Sequence, residues 1–220
     1  RRLCPGHYQP HIPADLGFYG LRVPEVRKAQ AELAREAGID CFCYWHYWFN
    51  GHKIMERPFE EVVSSGEPNF PFCLSWANHS WYAKTWNKDI PDKLLIEQTY
   101  GGVKEYTEHF NYLLPAFKDK RYQRKDGKLV FGIYDPFGFK DVKTFMDTWN
   151  QLAKENGLEG FHFFAHTFKD NKVEELQGIG FSTVFMDYTF VRKSVGRWLG
   201  WLLLKLHLAP QIMPYMDYVR

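Results

Sequence analysis

The sequence predicts an α/β protein: a (β/α)8 TIM-type barrel, present as about five β/α units without the first and last strands. Three observations lead there. Amphipathic helices alternate with short strands that are apolar on both faces, the pattern of a parallel sheet covered by helices. One joint recurs in type, Arg35-Glu-Ala-Gly-Ile-Asp-Cys-Phe42 and Lys154-Glu-Asn-Gly-Leu-Glu-Gly-Phe161, each a helix end, a Gly stop and an apolar strand. Only five such strands fit in 220 residues, whereas a closed barrel takes about 250. An open doubly wound sheet is the alternative, but no G-x-G-x-x-G turn follows an early strand.

Taken in order, Pro24 and Glu25 open a helix whose apolar face carries Val26, Ala29, Leu33, Ala34 and Ala37, and Gly38 ends it. Ile39 to Trp48 reads as a near-continuous apolar strand. Pro58 to Ser65 is a weaker helix, followed by a strand from Phe70 to Ala77. Val103, Tyr106, Phe110, Leu113, Leu114 and Phe117 share the face of a long helix, and Leu129 to Tyr134 is the next strand. Val142, Phe145, Met146, Trp149, Leu152 and Ala153 mark another helix, capped by Asn156 and Gly157. Strands at Gly160 to Ala165 and Ser182 to Met186 complete the pattern, and residues 1–220 read as one domain.

Composition narrows the function classes. The hydrophobic fraction is 45% and the charged fraction 25%, ordinary for a protein with a proper core. Aromatic residues, at 18%, are in surplus, and Tyr and Trp need polar partners when buried, so aromatic surface placed to meet a ligand is expected. A net charge of +2 leaves no strong field for nucleic acid. Cys4, Cys41, Cys43 and Cys73 have no zinc spacing, and three of them lie in strand-like runs, which reads as buried reduced thiols. No signal peptide and no apolar run of about 18 residues is visible. The chain opens at Arg1 rather than Met, so an internal portion of a longer protein is expected.

In parallel α/β architecture the reacting groups sit at the C-terminal ends of strands. Those ends here carry Tyr44-Trp45-His46-Tyr47-Trp48, Trp76-Ala77-Asn78-His79-Ser80-Trp81, Tyr134-Asp135, His166-Thr167 and Asp187-Tyr188. Aromatic faces for sugar C–H surfaces, beside amides and carboxylates for hydroxyls, suit a carbohydrate cleft. Tyr44, His46, Trp48, Trp76, Asn78, His79, Trp81, Tyr134 and Asp135 are therefore the candidate substrate-binding residues, with Trp45 as a further stacking platform. His46 is open between a hydroxyl donor and a core histidine satisfied by a carbonyl. His162 and His166 stand about 13 Å apart along a strand and cannot share a metal. No Walker loop, G-x-S-x-G, H-E-x-x-H or Asp-x-Asp is present, so no metal and no cofactor is expected. Asp135 and Asp187 are the strand-end carboxylates; Glu97 reads as a helix-entry charge, and no acid/base pair is visible.

Several long motifs, in order, resemble the WbsX family of glycosyltransferases. They are Gly6-His-Tyr-Gln-Pro-His-Ile-Pro-Ala-Asp-Leu-Gly-Phe18, Gly38-Ile-Asp-Cys-Phe-Cys-Tyr-Trp-His-Tyr-Trp-Phe-Asn-Gly51, Phe70-Pro-Phe-Cys-Leu-Ser-Trp-Ala-Asn78, Leu95-Ile-Glu-Gln98 and Asp126-Gly-Lys128. The resemblance spans about residues 5 to 190. It implies a carbohydrate-active enzyme of surface-polysaccharide (O-antigen, lipopolysaccharide) synthesis, working on a glycan or glycosyl donor and acceptor in the bacterial cytoplasm. The family is similar in turn to family 99 glycoside hydrolases, (β/α)8 barrels acting on mannose-containing glycans, so hydrolysis or glycan binding without turnover are the alternatives. Where the family pattern reads Trp-Ala-Asn-Glu-Asn-Trp, this chain has Trp76-Ala-Asn-His-Ser-Trp81. The late Asn-Glu-Trp-x-Glu segment that carries the relatives' catalytic carboxylates is absent from these 220 residues and is expected beyond Arg220. Residues 191–208 place Val195, Trp198, Leu199, Leu202 and Leu206 on one helical face, read either as an interfacial membrane helix or as an outer helix packed on the body.

Overall fold

The computed structural model describes residues 16–84, 89–167 and 172–186. All lie within the compact unit Arg1–Asp187, and the 191–208 segment and Asp187 fall outside them.

Five parallel strands form the body: β1 (Phe42–His46), β4 (Phe72–Trp76), β8 (Lys128–Ile133), β9 (Phe161–Thr167) and β10 (Thr183–Met186). Their spatial order is β1-β4-β8-β9-β10, the same as their order along the chain. A doubly wound sheet reverses strand order at a switch point, whereas a barrel adds each strand on the same side. The sequential order therefore identifies five units of a TIM-type barrel wall. Helices α1 (Pro24–Glu36), α2 (Arg57–Ser65), α3 (Gly102–Phe117), α4 (Val142–Glu155) and α5 (Val173–Ile179) fall before or between these strands.

Most boundaries differ from the sequence reading by one to three residues. Five short strands and one helix were not expected. β2 (Trp48–Phe49) and β3 (His52–Lys53) make a hairpin on Asn50-Gly51, both at positive φ, the requirement of a two-residue turn. The Ile39–Trp48 strand is correspondingly shorter, ending at His46. β7 (Arg124–Lys125) turns back on β8 through Asp126-Gly127, again at positive φ. Among the described residues β5 (Trp81–Ala83) and β6 (Lys93–Ile96) pair only with each other, and α5 supplies the crossover between β9 and β10.

One face of the sheet is the core. Leu74, Trp76, Phe131, Ile133, Phe161 and Phe163 point toward the helices and are buried. Trp149 of α4 sits among Phe117, Phe131, Phe145 and Phe161 and donates its indole N–H to the Tyr106 carbonyl at 3.0 Å. Among the described residues seventeen aromatic side chains are buried. The aromatic surplus is thus in large part a packing feature, contrary to the expectation that it marks ligand-facing surface. The first helix buries Arg27, Ala31 and Ala34 rather than the expected Leu33 face. Arg27 donates to the Leu21 carbonyl at 2.7 Å and pairs with Glu61 at 2.9 Å, so its buried guanidinium is partnered on that face.

The other sheet face carries alternate residues, among them Cys43, Trp45, Tyr134, His166 and Phe185, and no described helix covers it; Trp45 is 48% and Phe185 55% exposed. Cys43 lies here and is exposed, Cys41 is half-buried and Cys73 buried, all three free. The expectation of buried thiols therefore fails for Cys43: it shares the uncovered face with its register partner Cys73, but Cys73 is flanked by strands on both sides whereas β1 stands at the end of the described strand order.

Two buried polar groups tie the layers together. Arg121 donates to the carbonyls of Pro68 (3.0 Å) and Val62 (2.8 Å) and pairs with Asp119 at 2.6 Å, locking the end of α2 to the entry of β4. His46 and His109 face each other through their Nε2 atoms at 2.8 Å. Of the two open readings of His46, the structure supports a core histidine, though its partner is a second imidazole rather than a carbonyl.

Replacing Arg121 with Met is expected to cost about 3 kcal/mol, since it orphans a buried carboxylate and two carbonyls; urea titration reads it. Burial also lowers the pKa of both imidazoles, His46 to about 3 and His109 well below its ordinary value. Between about pH 6.5 and 3 the unfolded chain then binds protons that the folded protein does not. Stability is complete above that window and falls as pH drops through it, by about 1.4 kcal/mol per pH unit for each ring. Thermal unfolding at pH 7.5 and 5.5 tests this; equal stability at the two values would contradict it.

Candidate active site

Parallel register brings the C-terminal ends of the strands to one edge. Trp45 pairs with Ser75, His46 with Trp76, and Trp76 with Ile133, so the residues that follow β1, β4 and β8 emerge side by side. There Trp45, Tyr47, Ala77, His79, Trp81 and Tyr134 line a shallow cleft of about 240 Å³. Trp45 meets Tyr134 edge-on at 5.4 Å, His79 leans on Tyr134 at 5.1 Å, and Tyr47 meets Trp81 edge-on at 5.2 Å. His166 of β9 closes the inner side, 5.7 Å from Trp45 and 5.5 Å from Tyr134, with its Nε2 3.3 Å from Ser75 Oγ.

The candidates from the sequence divide between this cleft and the layer behind it. His79, Trp81 and Tyr134 line it, and Asp135, the residue after Tyr134, is not among its lining residues. Trp48, Trp76, His46 and Asn78 are buried, with Trp76 at 0% exposure, so their side chains form the wall behind the cleft. Tyr44 points the other way, against Phe59 and Phe72. The physical reason is strand parity: in β1, Trp45 takes the open face and its neighbours Tyr44 and His46 take the helix face.

Asn78 illustrates what the buried candidates do. Its amide donates to the Asp135 carbonyl at 2.8 Å and to Tyr100 Oη at 3.1 Å, while its Oδ1 accepts the Asp135 N–H at 2.7 Å. Tyr100 returns a bond from its hydroxyl to the Asn78 carbonyl at 3.0 Å. These bonds bolt the β4 end to the β8 end and fix the separation of His79 from Asp135. Asp135 Oδ1 also accepts the Gly138 N–H at 2.9 Å, which closes its own turn. Burial lowers the pKa of His79, and the charge of Asp135 works against that shift. At neutral pH His79 is therefore a neutral imidazole, able to donate one hydrogen bond and accept another.

Three residues of this region were not singled out from the sequence: Tyr100, Glu105 and His109. Glu105 accepts the Trp48 indole N–H, and His109 stacks flat on the Trp48 ring at 4.6 Å. Their signal was available, because Glu105 and His109 are four residues apart on the helix face that also carries Tyr106, Phe110 and Leu113. Polar residues on an apolar stripe announce buried hydrogen bonds. Glu97 is exposed in the connection after β6. His162 bonds Thr183 Oγ1 at 2.7 Å, far down the sheet from the cleft. Among the described residues no three His, Cys, Asp or Glu side chains converge to hold a metal ion.

Comparison with known proteins agrees with this architecture. The chain is 14% identical to the GH99 endo-alpha-mannosidase from Bacteroides thetaiotaomicron, with a TM-score of 0.55 over 94% of this chain and 61% of that one. The same enzyme in complex with BIS-TRIS-propane gives 15% identity and a TM-score of 0.54, over 88% of this chain and 57% of that one. At such identities the likeness is one of fold. The uncharacterized protein WxcX of Xanthomonas campestris pv. campestris (strain B100) is 32% identical over 157 residues, which are 71% of this chain and 22% of that protein. The chain thus spans about a fifth of the length of the curated relatives it matches. The sequence model of glycosyltransferase WbsX matches residues 1–197, and with the sequential parallel sheet and its aromatic strand-end cleft already in hand, the chain belongs to the WbsX glycosyltransferase family.

Proposed function

We propose that this chain forms the sugar-binding wall of a carbohydrate-active enzyme that transfers glycosyl groups in surface-polysaccharide synthesis. The observation that carries the reading is the cleft at the strand ends, where Trp45, Tyr47, Trp81 and Tyr134 surround neutral His79 beside Asp135. A pyranose presents C–H faces to aromatic rings and hydroxyls around its edge. Trp45 and Trp81 both line the opening, Trp45 against Tyr134 and Trp81 against Tyr47, and each offers a ring to a glycan chain. His79 and Asp135 supply a donor and acceptors for its hydroxyls.

In glycosyl transfer the anomeric carbon passes through an oxocarbenium-like state, and a sugar hydroxyl attacks it. The role of this wall is to hold the ring and orient that hydroxyl, which lowers the barrier by positioning. The carboxylates that act on the bond itself belong to another part of the barrel. A cytoplasmic protein working at the inner membrane face, with residues 191–208 as an interfacial segment, is part of the same reading. Hydrolysis is the second reading, favoured by the fold shared with an endo-alpha-mannosidase; it differs only in water replacing the acceptor hydroxyl.

The test uses the full-length protein with α-linked manno-oligosaccharides, binding read by calorimetry and products by mass spectrometry. Trp45→Ala and Trp81→Ala are each expected to weaken binding about tenfold, the loss of roughly 1.4 kcal/mol of stacking. Tyr82→Ala, on the outer side of the hairpin, leaves affinity unchanged. An elongated product supports transfer and a shortened one hydrolysis. Unchanged affinity in both tryptophan variants would overturn the assignment of the cleft.

A further inference from the structure

A carboxylate inside an aromatic core needs a reason. Glu105 is 4% exposed, its Oε2 has no hydrogen-bond partner, and no cation contacts it among the described residues. Burying such a group carries a penalty unless its bonds accomplish something specific. Its Oε1 accepts the Trp48 indole N–H.

Trp48 is held on every other side as well. Its ring lies flat on His109 (4.6 Å, 2°) and beside Tyr112 (5.4 Å, 24°), and its carbonyl accepts the Trp76 indole N–H at 3.1 Å. Tyr112 in turn bonds Glu60, which pairs with Lys53, the residue opposite Trp48 in the β2–β3 hairpin. The next residue back is Tyr47, which leaves this core and enters the cleft against Trp81.

A second, independent feature agrees. Gly101 sits where a β-carbon would come 2.8 Å from Glu105 Cβ and 2.9 Å from Asn50 Oδ1. Only glycine lets the start of α3 close down on the turn that carries Asn50. Loop, helix start and carboxylate therefore meet at one point.

We infer that Glu105 is a positioning residue for the glycan cleft: by fixing the Trp48 indole it sets the angle of the loop 47–50 and so the place of Tyr47 opposite Trp81. The inference rests on the proposed sugar-binding role, but the geometry it asserts can be read without any sugar.

Two readouts separate the two. In the full-length protein, nuclear Overhauser contacts between the Tyr47 and Trp81 rings, and the indole N–H resonance of Trp48, report the latch directly. Affinity for an α-linked manno-oligosaccharide reports its consequence. Glu105→Leu is expected to shift the Trp48 resonance, remove the Tyr47–Trp81 contacts and weaken binding about tenfold, whereas Glu105→Gln, which keeps an acceptor, stays within about twofold of the wild type. Trp48→Phe removes the N–H donor and keeps a smaller aromatic ring in its place; it should reproduce the Glu105→Leu loss of Tyr47–Trp81 contacts and decides the matter if the leucine variant does not fold. Retained ring contacts in Trp48→Phe would overturn the latch. Lost ring contacts in a protein whose wild type binds no sugar would keep the latch and remove the proposed function instead.

Discussion

Parallel pairing is the constraint on which this molecule turns. It satisfies the backbone within the sheet but brings all five C-terminal ends to a single edge and divides every strand's residues between two faces. The helix face becomes the aromatic core around Trp149 and Trp76. The other face presents Trp45, Tyr134 and His166 to the same space. The cleft is therefore no separate invention of the loops; its inner members are strand residues of the correct parity, and the loops add Tyr47, His79 and Trp81 above them.

The buried polar groups have a common purpose in this frame. Asn78, Tyr100 and the Asp135 backbone join two strand ends. Glu105 and Trp48 join a hairpin to the first turn of α3. His46 and His109 join a strand to that same helix. Each joins elements that apolar packing alone would leave free to slide, since hydrophobic contact is not directional whereas a hydrogen bond is. The histidine pair also sets a cost, because a core that excludes imidazolium is weakened by acid.

Much of this was legible in the chain. The five parallel strands and four of the five helices follow from local signals: apolar periodicity, Pro24 at a helix start, and Gly38 and Gly157 past helix ends. The hairpins on Asn50-Gly51 and Asp126-Gly127 were harder, because strands of two residues are too short to show a period. The site was legible as a region but not residue by residue. From Tyr44 to Phe49 every position is aromatic or histidine, so the alternation that normally tells one face from the other is erased. Only the register of β1 on β4 shows that Trp45 faces the cleft while His46 and Trp48 do not. Glu105 and His109 were legible in principle, as polar interruptions of an apolar helix face.

The β5–β6 hairpin stands apart from the sheet: its strands bond to each other, and it is tied at its base by Ser80 with Gln98 and by Asn78 with Tyr100. Yet it delivers Trp81 to the cleft. The paired residues of its two strands are therefore joined to the sheet only through those ties and the Trp81 ring contacts, among the described hydrogen bonds and ring pairs. A change in the strand pairing of this ribbon would move Trp81 while the β1-β4-β8 pairing stayed as it is.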